Sequence, residues 1–299
     1  MDAQRGAYPA LAIAILAVSF ASIFVRWSDS HPLVLAGYRM LFAALLLAPF
    51  ALRERRKAEP LDRRTMAGVL GTGVVLAIHF FAFISSLRHT SVASSTLLVN
   101  CHPLIVGAAS VLLLRESSRR TVLGVAVGLI GVAALALSSV GTGEEVGNAL
   151  ALLGGAMAAI YLLAGRVLRR RLGTPSYAFL VYMAAALVLL AAAFASGVPL
   201  HPYPAEEVLL FLALAVVCTI FGHTVYNWAL GYLPAPVVST ALLGEPVLAS
   251  MLALVLLGEA PGPAVLLAAP LVLAGVLLTA SDRTGREGKD GRPEEKGPP

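Results

Sequence analysis

Charge is scarce in this chain. Asp, Glu, Lys and Arg make up 13% of its 299 residues and 58% are hydrophobic, against about 25% charged and 45–50% apolar in ordinary soluble domains. With mean hydropathy +0.83 and the charge gathered between long apolar runs, a water-facing globule is excluded and the lipid bilayer becomes the expected solvent. Cysteine is nearly absent too. Cys101 and Cys218 both fall inside apolar runs, which argues against a disulfide framework or a zinc site. No Gly-x4-Gly-Lys-Ser/Thr loop, His-Glu-x-x-His pair or nucleophile elbow occurs, so no catalytic residue, metal or cofactor is expected and the chain is not read as an enzyme. The net charge of +5 is small for the length, and no basic stripe is interleaved with aromatics. No nucleic-acid partner is expected.

What is present is a series of apolar stretches long enough to cross a hydrocarbon core of about 30 Å, which takes about 20 helical residues. The spacing predicts ten helices: Ala7 to Val25, Leu33 to Leu52, Met66 to Leu87, Val92 to Leu114, Thr121 to Val140, Gly147 to Gly165, Ser176 to Ser196, Glu206 to Gly231, Pro236 to Leu257 and Gly262 to Ala280. The first is too long for a signal-peptide core of about 7–15 residues and is read as a transmembrane helix. With the N-terminus inside, nineteen of the 22 Lys and Arg fall in inner segments; Arg26 and Arg88 are outside and Arg39 lies within a span. Cytoplasmic loops hold the basic residues, so both termini are placed in the cytoplasm. Asp282 onward is polar and rich in Gly and Pro and reads as a disordered tail, 282–299.

The chain also repeats. Pro103 to Glu116 reads PLIVGAASVLLLRE and Pro246 to Glu259 reads PVLASMLALVLLGE, an offset of 143 that also pairs Pro32 with Pro175 and Leu87 with Leu230. Residues 1–142 and 143–281 thus form two similar units of five helices. Five is odd, so the second unit would enter the bilayer from the opposite face. Inverted repeats of this kind characterise transporters, in which a site at the repeat interface opens alternately to either side.

With Tyr38-Arg39 heading an apolar run in helix 2, a mid-membrane proline in helix 4, and the Leu-Gly-Glu-Pro of Leu243 to Pro246 followed by the Leu-Gly-Glu of Leu257 to Glu259, the sequence resembles the EamA-type branch of the drug/metabolite transporter superfamily. The resemblance covers residues 7–280. It implies an all-α membrane protein of ten helices around a central cavity, exporting a small organic solute, an amino acid or related amphipathic metabolite, across a prokaryotic inner membrane. Alternative readings are a multidrug or organic-cation exporter, a nucleotide-sugar type exchanger and an integral-membrane lipid enzyme. Helices 1 and 6 hold no Asp or Glu for the first, only Arg39 is buried for the second, and the third lacks a catalytic constellation.

Candidate site residues follow from the cost of burying polar groups in lipid, about 2.5–3.5 kcal/mol or more for a charge at mid-bilayer. Pro103 and Pro246 each break a helix at one depth and free the carbonyls of Val99 and Leu242. Counting 1.5 Å per residue places Arg39, His79 and Asn100 in the outer third, His102 and Glu245 near the midplane, and His223 and Asn227 in the inner third. His79, Phe83 and Ser86 share one helical face, as do Thr96, Asn100 and Pro103. Tyr161 is the other aromatic deep enough to line a cavity; Tyr226 and Trp228 read as an interfacial belt. Arg39 is either the fork for a substrate carboxylate or a partner for broken-helix carbonyls. Glu245 is either a proton-coupling group, with protons the candidate coupling ion, or a structural partner, and each histidine is either a ligand contact or a satisfied packing residue.

Overall fold

The computed structural model describes residues 2–56, 60–109, 119–169, 171–229 and 242–287. Among the described residues every regular element is a helix: α1 (Asp2–Ser19), α2 (Ala21–Trp27), α3 (Pro32–Arg55), α4 (Arg63–Ser86), α5 (Val92–Val99), α6 (His102–Ala109), α7 (Arg119–Ser138), α8 (Glu145–Leu168), α9 (Thr174–Ala195), α10 (Ala205–Ala213), a π-helical segment (Leu214–Thr224), α11 (Val225–Ala229), α12 (Gly244–Leu257) and α13 (Pro263–Glu287). Among the described residues, seven stretches are long and apolar enough to cross a membrane: Gly6–Trp27, Pro32–Arg55, Arg63–Ser86, Arg119–Ser138, Glu145–Gly165, Thr174–Ala195 and Ala205–Thr224. Three shorter apolar helices, Val92–Ile105, Gly244–Leu257 and Pro263–Thr279, lie where the sequence predicts helices 4, 9 and 10. The ends of predicted helices 4 and 8 and the start of helix 9, with Glu116 and Pro236, lie outside the described residues, as do residues 288–299 of the predicted tail. Helix α13 continues to Glu287, so the segment from Asp282 starts as helix.

Local chemistry sets the helix ends. Asp62 caps α4 by accepting from the Thr65 amide at 2.9 Å, and the same Thr65 bonds hold the Asp62 carboxyl below its usual range. Ser91 caps α5 through the Ser94 amide at 3.1 Å, and Pro32 occupies the first turn of α3, where its missing N–H costs nothing. Predicted helix 4 is two helices: the chain turns at Asn100 and Cys101, and Pro103 sits in the first turn of α6.

Bulky apolar side chains such as Leu45, Phe50, Ile130, Leu137, Phe194, Val255 and Leu267 point outward, while Arg39, Thr72, Ser94, Ser95, Thr96 and Asn100 are buried. That inverts the usual soluble arrangement and suits a hydrocarbon solvent. Helix α3 packs on α9, α7 on α13, α4 on both α8 and α9, α5 on α8 and α12, and the π segment on α1 and α3, with α1 also on α12. Small residues allow the closest approaches, as expected where no hydrophobic force drives helices together. A Cβ at Gly124 would lie 2.6 Å from Thr279 Oγ1 and 2.8 Å from the Gly275 carbonyl. Gly124→Val should therefore push α7 from α13 and cost about 1–3 kcal/mol, measured as a fall in Tm of the detergent-solubilised protein; an unchanged Tm would show that this seam tolerates a larger spacing.

Candidate functional site

The buried polar groups meet where α3, α4 and the π segment pack together. Arg39, on α3, is fully buried. Its Nε donates to Thr219 Oγ1 at 2.9 Å and its guanidinium carbon lies 4.1 Å from the centre of the Phe80 ring, a cation–π contact strengthened by the burial of Arg39. The two terminal nitrogens, Nη1 and Nη2, have no hydrogen-bond partner among the described residues. They are strong donors in a fixed fork, so Arg39 can bind an acceptor group.

Thr219 is positioned by the π register itself. Its hydroxyl, which accepts from Arg39, donates to the Leu214 carbonyl five residues back at 3.0 Å, and Thr224 repeats this onto the Thr219 carbonyl at 3.1 Å. Such i, i−5 spacing widens the helix and is concentrated at functional positions.

Phe80 ties the site together. Its ring meets His79 at 4.8 Å and His223 edge-on at 5.7 Å between centroids. His223 was expected a level below Arg39 and His79, yet it sits beside both, in electrostatic reach of each. The π register packs more residues into each turn, so counting 1.5 Å per residue overstates its depth. His79 Nδ1 bonds the Gly154 carbonyl at 2.8 Å, and the His102 ring bonds the Val99 carbonyl, the group that Pro103 leaves free. The packing reading thus has a concrete partner for both histidines.

Glu245, in the first turn of α12, faces the Asn100 side chain as a hydrogen-bond partner and lies in electrostatic range of Arg39. Asn100 also donates to the Thr96 carbonyl at 2.9 Å. Tyr226, which the sequence reads as part of an interfacial belt, is in electrostatic range of Glu245 and only 6% exposed, and its hydroxyl has no hydrogen-bond partner among the described residues. Phe83 is buried in the same apolar core as Phe80. Tyr161 instead stacks on Tyr177 at 6.4 Å, in electrostatic range of Tyr182. The Asn227 side chain lies outside the described residues. Pro246 is buried beneath Glu245. A 260 Å³ hollow lined by Ala51, Leu52, Arg55, Leu61, Met66, Phe179 and Leu180 opens at the end of α3, apart from this cluster.

Phe80, Tyr182, Thr219 and Tyr226 were not among the predicted site residues. The repeat could have found two partners: an offset of 143 takes Arg39 to Tyr182 and Phe80 to His223, and takes His102, before Pro103, to Glu245, before Pro246.

The same doubling appears in comparison with known proteins. The pattern of the EamA-like transporter family matches twice, over residues 6–137 and 145–281. The chain belongs to the EamA-like transporter family. A relative from Archaeoglobus fulgidus, described as an uncharacterized transporter, is 26% identical over 292 residues, covering 94% of this chain and 99% of its own. A solved protein crystal structure at 19% identity covers 92% of this chain and 97% of its own with a TM-score of 0.65, a likeness of fold. Membership places the chain among multi-pass membrane transporters belonging to the drug/metabolite transporter superfamily, and its outward apolar belt and buried polar cluster are those of a protein that handles a small solute within a bilayer.

Proposed function

We propose that the chain is a secondary transporter that exports a small organic metabolite, an amino acid or related amphipathic solute, across a prokaryotic inner membrane by alternating access, with both termini in the cytoplasm. The reading takes the chain as ten transmembrane helices in two inverted five-helix units. The packing pattern supports this. Exchanging each helix for its counterpart at offset 143 turns α4 on α8 into the π segment on α1, and α6 on α8 into α12 on α1. The pairs α3 on α9 and α7 on α13 map onto themselves. Sites at the interface of such units suit alternate exposure.

The observation that carries the reading is Arg39. It lies fully buried between the two units, its two terminal nitrogens without a hydrogen-bond partner among the described residues, and in electrostatic range of Glu245. A solute with an acceptor group completes Arg39 and one with a donor completes Glu245. A thermal-shift screen of the purified protein against amino acids, nucleosides, sugars and organic cations tests it, because a ligand that binds the folded state stabilises it, by about 2.7 kcal/mol at a hundredfold excess over Kd. Amino acids or related solutes should raise Tm; stabilisation by organic cations alone would transfer the assignment to a multidrug or organic-cation exporter. If Glu245 carries a coupled proton, flux of the stabilising solute into proteoliposomes should respond to an imposed pH gradient and Glu245→Gln should abolish that response. Flux that ignores the gradient in the unmodified protein would make the transport facilitated diffusion.

A further inference from the structure

A second set of polar groups lies away from the Arg39 cluster, at the end of the bundle formed by Trp27, the α4–α5 turn and the close of α12. Gly258, at φ +69°, ends α12 in the left-handed conformation that favours glycine, and the chain turns so that Glu259 points back at two neighbours. Its carboxylate pairs with Arg26 Nη2 at 3.0 Å and accepts from the Val92 amide at the start of α5. Arg26 Nη2 also donates to the Thr90 carbonyl at 3.1 Å. Arg88, from the α4–α5 turn, reaches the opposite way, donating to the Ser28 carbonyl and to the Ser30 carbonyl at 3.2 Å.

These bonds have a direction. Arg26, Ser28, Ser30 and Glu259 belong to one group of mutually packed helices, α1, α2, α12 and the π segment; Arg88, Thr90 and Val92 belong to the turn between α4 and α5, which packs on α8. Every bond in the set crosses from one group to the other except Arg26 with Glu259, which holds the two crossing side chains in place. We propose that Arg26, Arg88 and Glu259 form an ionic latch that shuts this end of the bundle, and that the end opens when the latch exchanges these partners for water. The latch suits that task. The Arg26 and Glu259 side chains are 29% and 25% exposed, so water screens the pair and can replace each partner at modest cost.

Ser22 offers a sensor. It is buried one turn beneath Arg26 on the same face of α2, so a thiol there becomes reactive only when the latch parts. In a chain carrying Cys101→Ala, Cys218→Ala and Ser22→Cys in lipid nanodiscs, labelling by a membrane-impermeant maleimide should be slow. Adding Arg88→Gln or Glu259→Gln should accelerate it by on the order of 5- to 150-fold, the range of a typical conformational coupling, and Arg88→Lys, which keeps a cation, should stay slow. Arg171→Gln, which removes the Arg171–Asp62 pair at 3.3 Å at the other end, should leave the rate unchanged. If Glu259→Gln does not fold, Arg88→Gln gives the same reading from the facing group. Unchanged labelling in the folded Gln variants, or equal acceleration by Arg171→Gln, would overturn the latch.

Discussion

Arg39→Leu should abolish transport while leaving the protein as stable as before or more so. The two consequences separate because the guanidinium is poorly compensated among the described residues: one hydrogen bond to Thr219 and one ring face, with neither terminal nitrogen partnered. A buried charge of that kind carries a desolvation cost that its contacts do not repay, and replacing such groups by packed apolar side chains is often neutral or stabilising, by about 1–4 kcal/mol. A structural Arg39 gives the opposite result. If the guanidinium held broken-helix carbonyls, its loss would destabilise by about 3–5 kcal/mol, and Tm would fall together with flux. The measurement is therefore a pair: Tm of the purified variant, and proteoliposome exchange of whichever solute stabilises the unmodified protein. Retained Tm with flux lowered at least about tenfold, equivalent to about 1.4 kcal/mol, assigns Arg39 to the solute. A fall in both assigns it to the scaffold, and unchanged flux removes it from the mechanism.

Composition and periodicity were enough to read an all-helical membrane chain, because the bilayer imposes a simple rule on length and hydropathy. The same rule picked out Arg39, since a cation charged at every physiological pH has to be buried away from lipid. The Pro103 break was also legible: a proline cannot donate to the helix that precedes it, and the chain turns at Asn100 and Cys101. What the sequence could not convey was the π register from Leu214 to Thr224, which depends on threonine hydroxyls bonding carbonyls five residues back and on α1 and α3 packing against it. That register brings His223 to Phe80 and turns Tyr226 inward, so residue-by-residue depth counting failed in that helix. Thr219 carries no signal of its own; a threonine in an apolar run reads as a tolerated small residue until Arg39 is seen against it. Tyr182 was within reach, because the 143-residue offset maps it onto Arg39.

Glu207 is the other residue whose role no local pattern announces, and its removal should produce the largest loss of stability. As an acid in the first turn of α10 it reads as an exposed favourable charge at a helix start. It is instead 8% exposed and accepts from Ser28 Oγ at 2.6 Å, from the Asp29 amide at 2.7 Å and from Ser30 Oγ, gathering the whole turn between α2 and α3. Bonds to a charged acceptor contribute about 1.5–3 kcal/mol each. Because the donors of one small turn act together rather than additively, Glu207→Ala should cost roughly 3–5 kcal/mol, a figure that also reflects the hydroxyls of Ser28 and Ser30 left buried without an acceptor. Glu207→Gln keeps one carbonyl oxygen and should lose roughly half as much. The same turn supplies the two carbonyls that receive Arg88, so the Ala variant should also speed maleimide labelling of Ser22→Cys, and the Gln variant should do so less. Denaturation of both variants in detergent, with labelling in nanodiscs, gives the two orderings. A Tm for Glu207→Ala equal to that of the unmodified chain would show that solvent satisfies the turn, and that Arg88 does not depend on Glu207 for its acceptors.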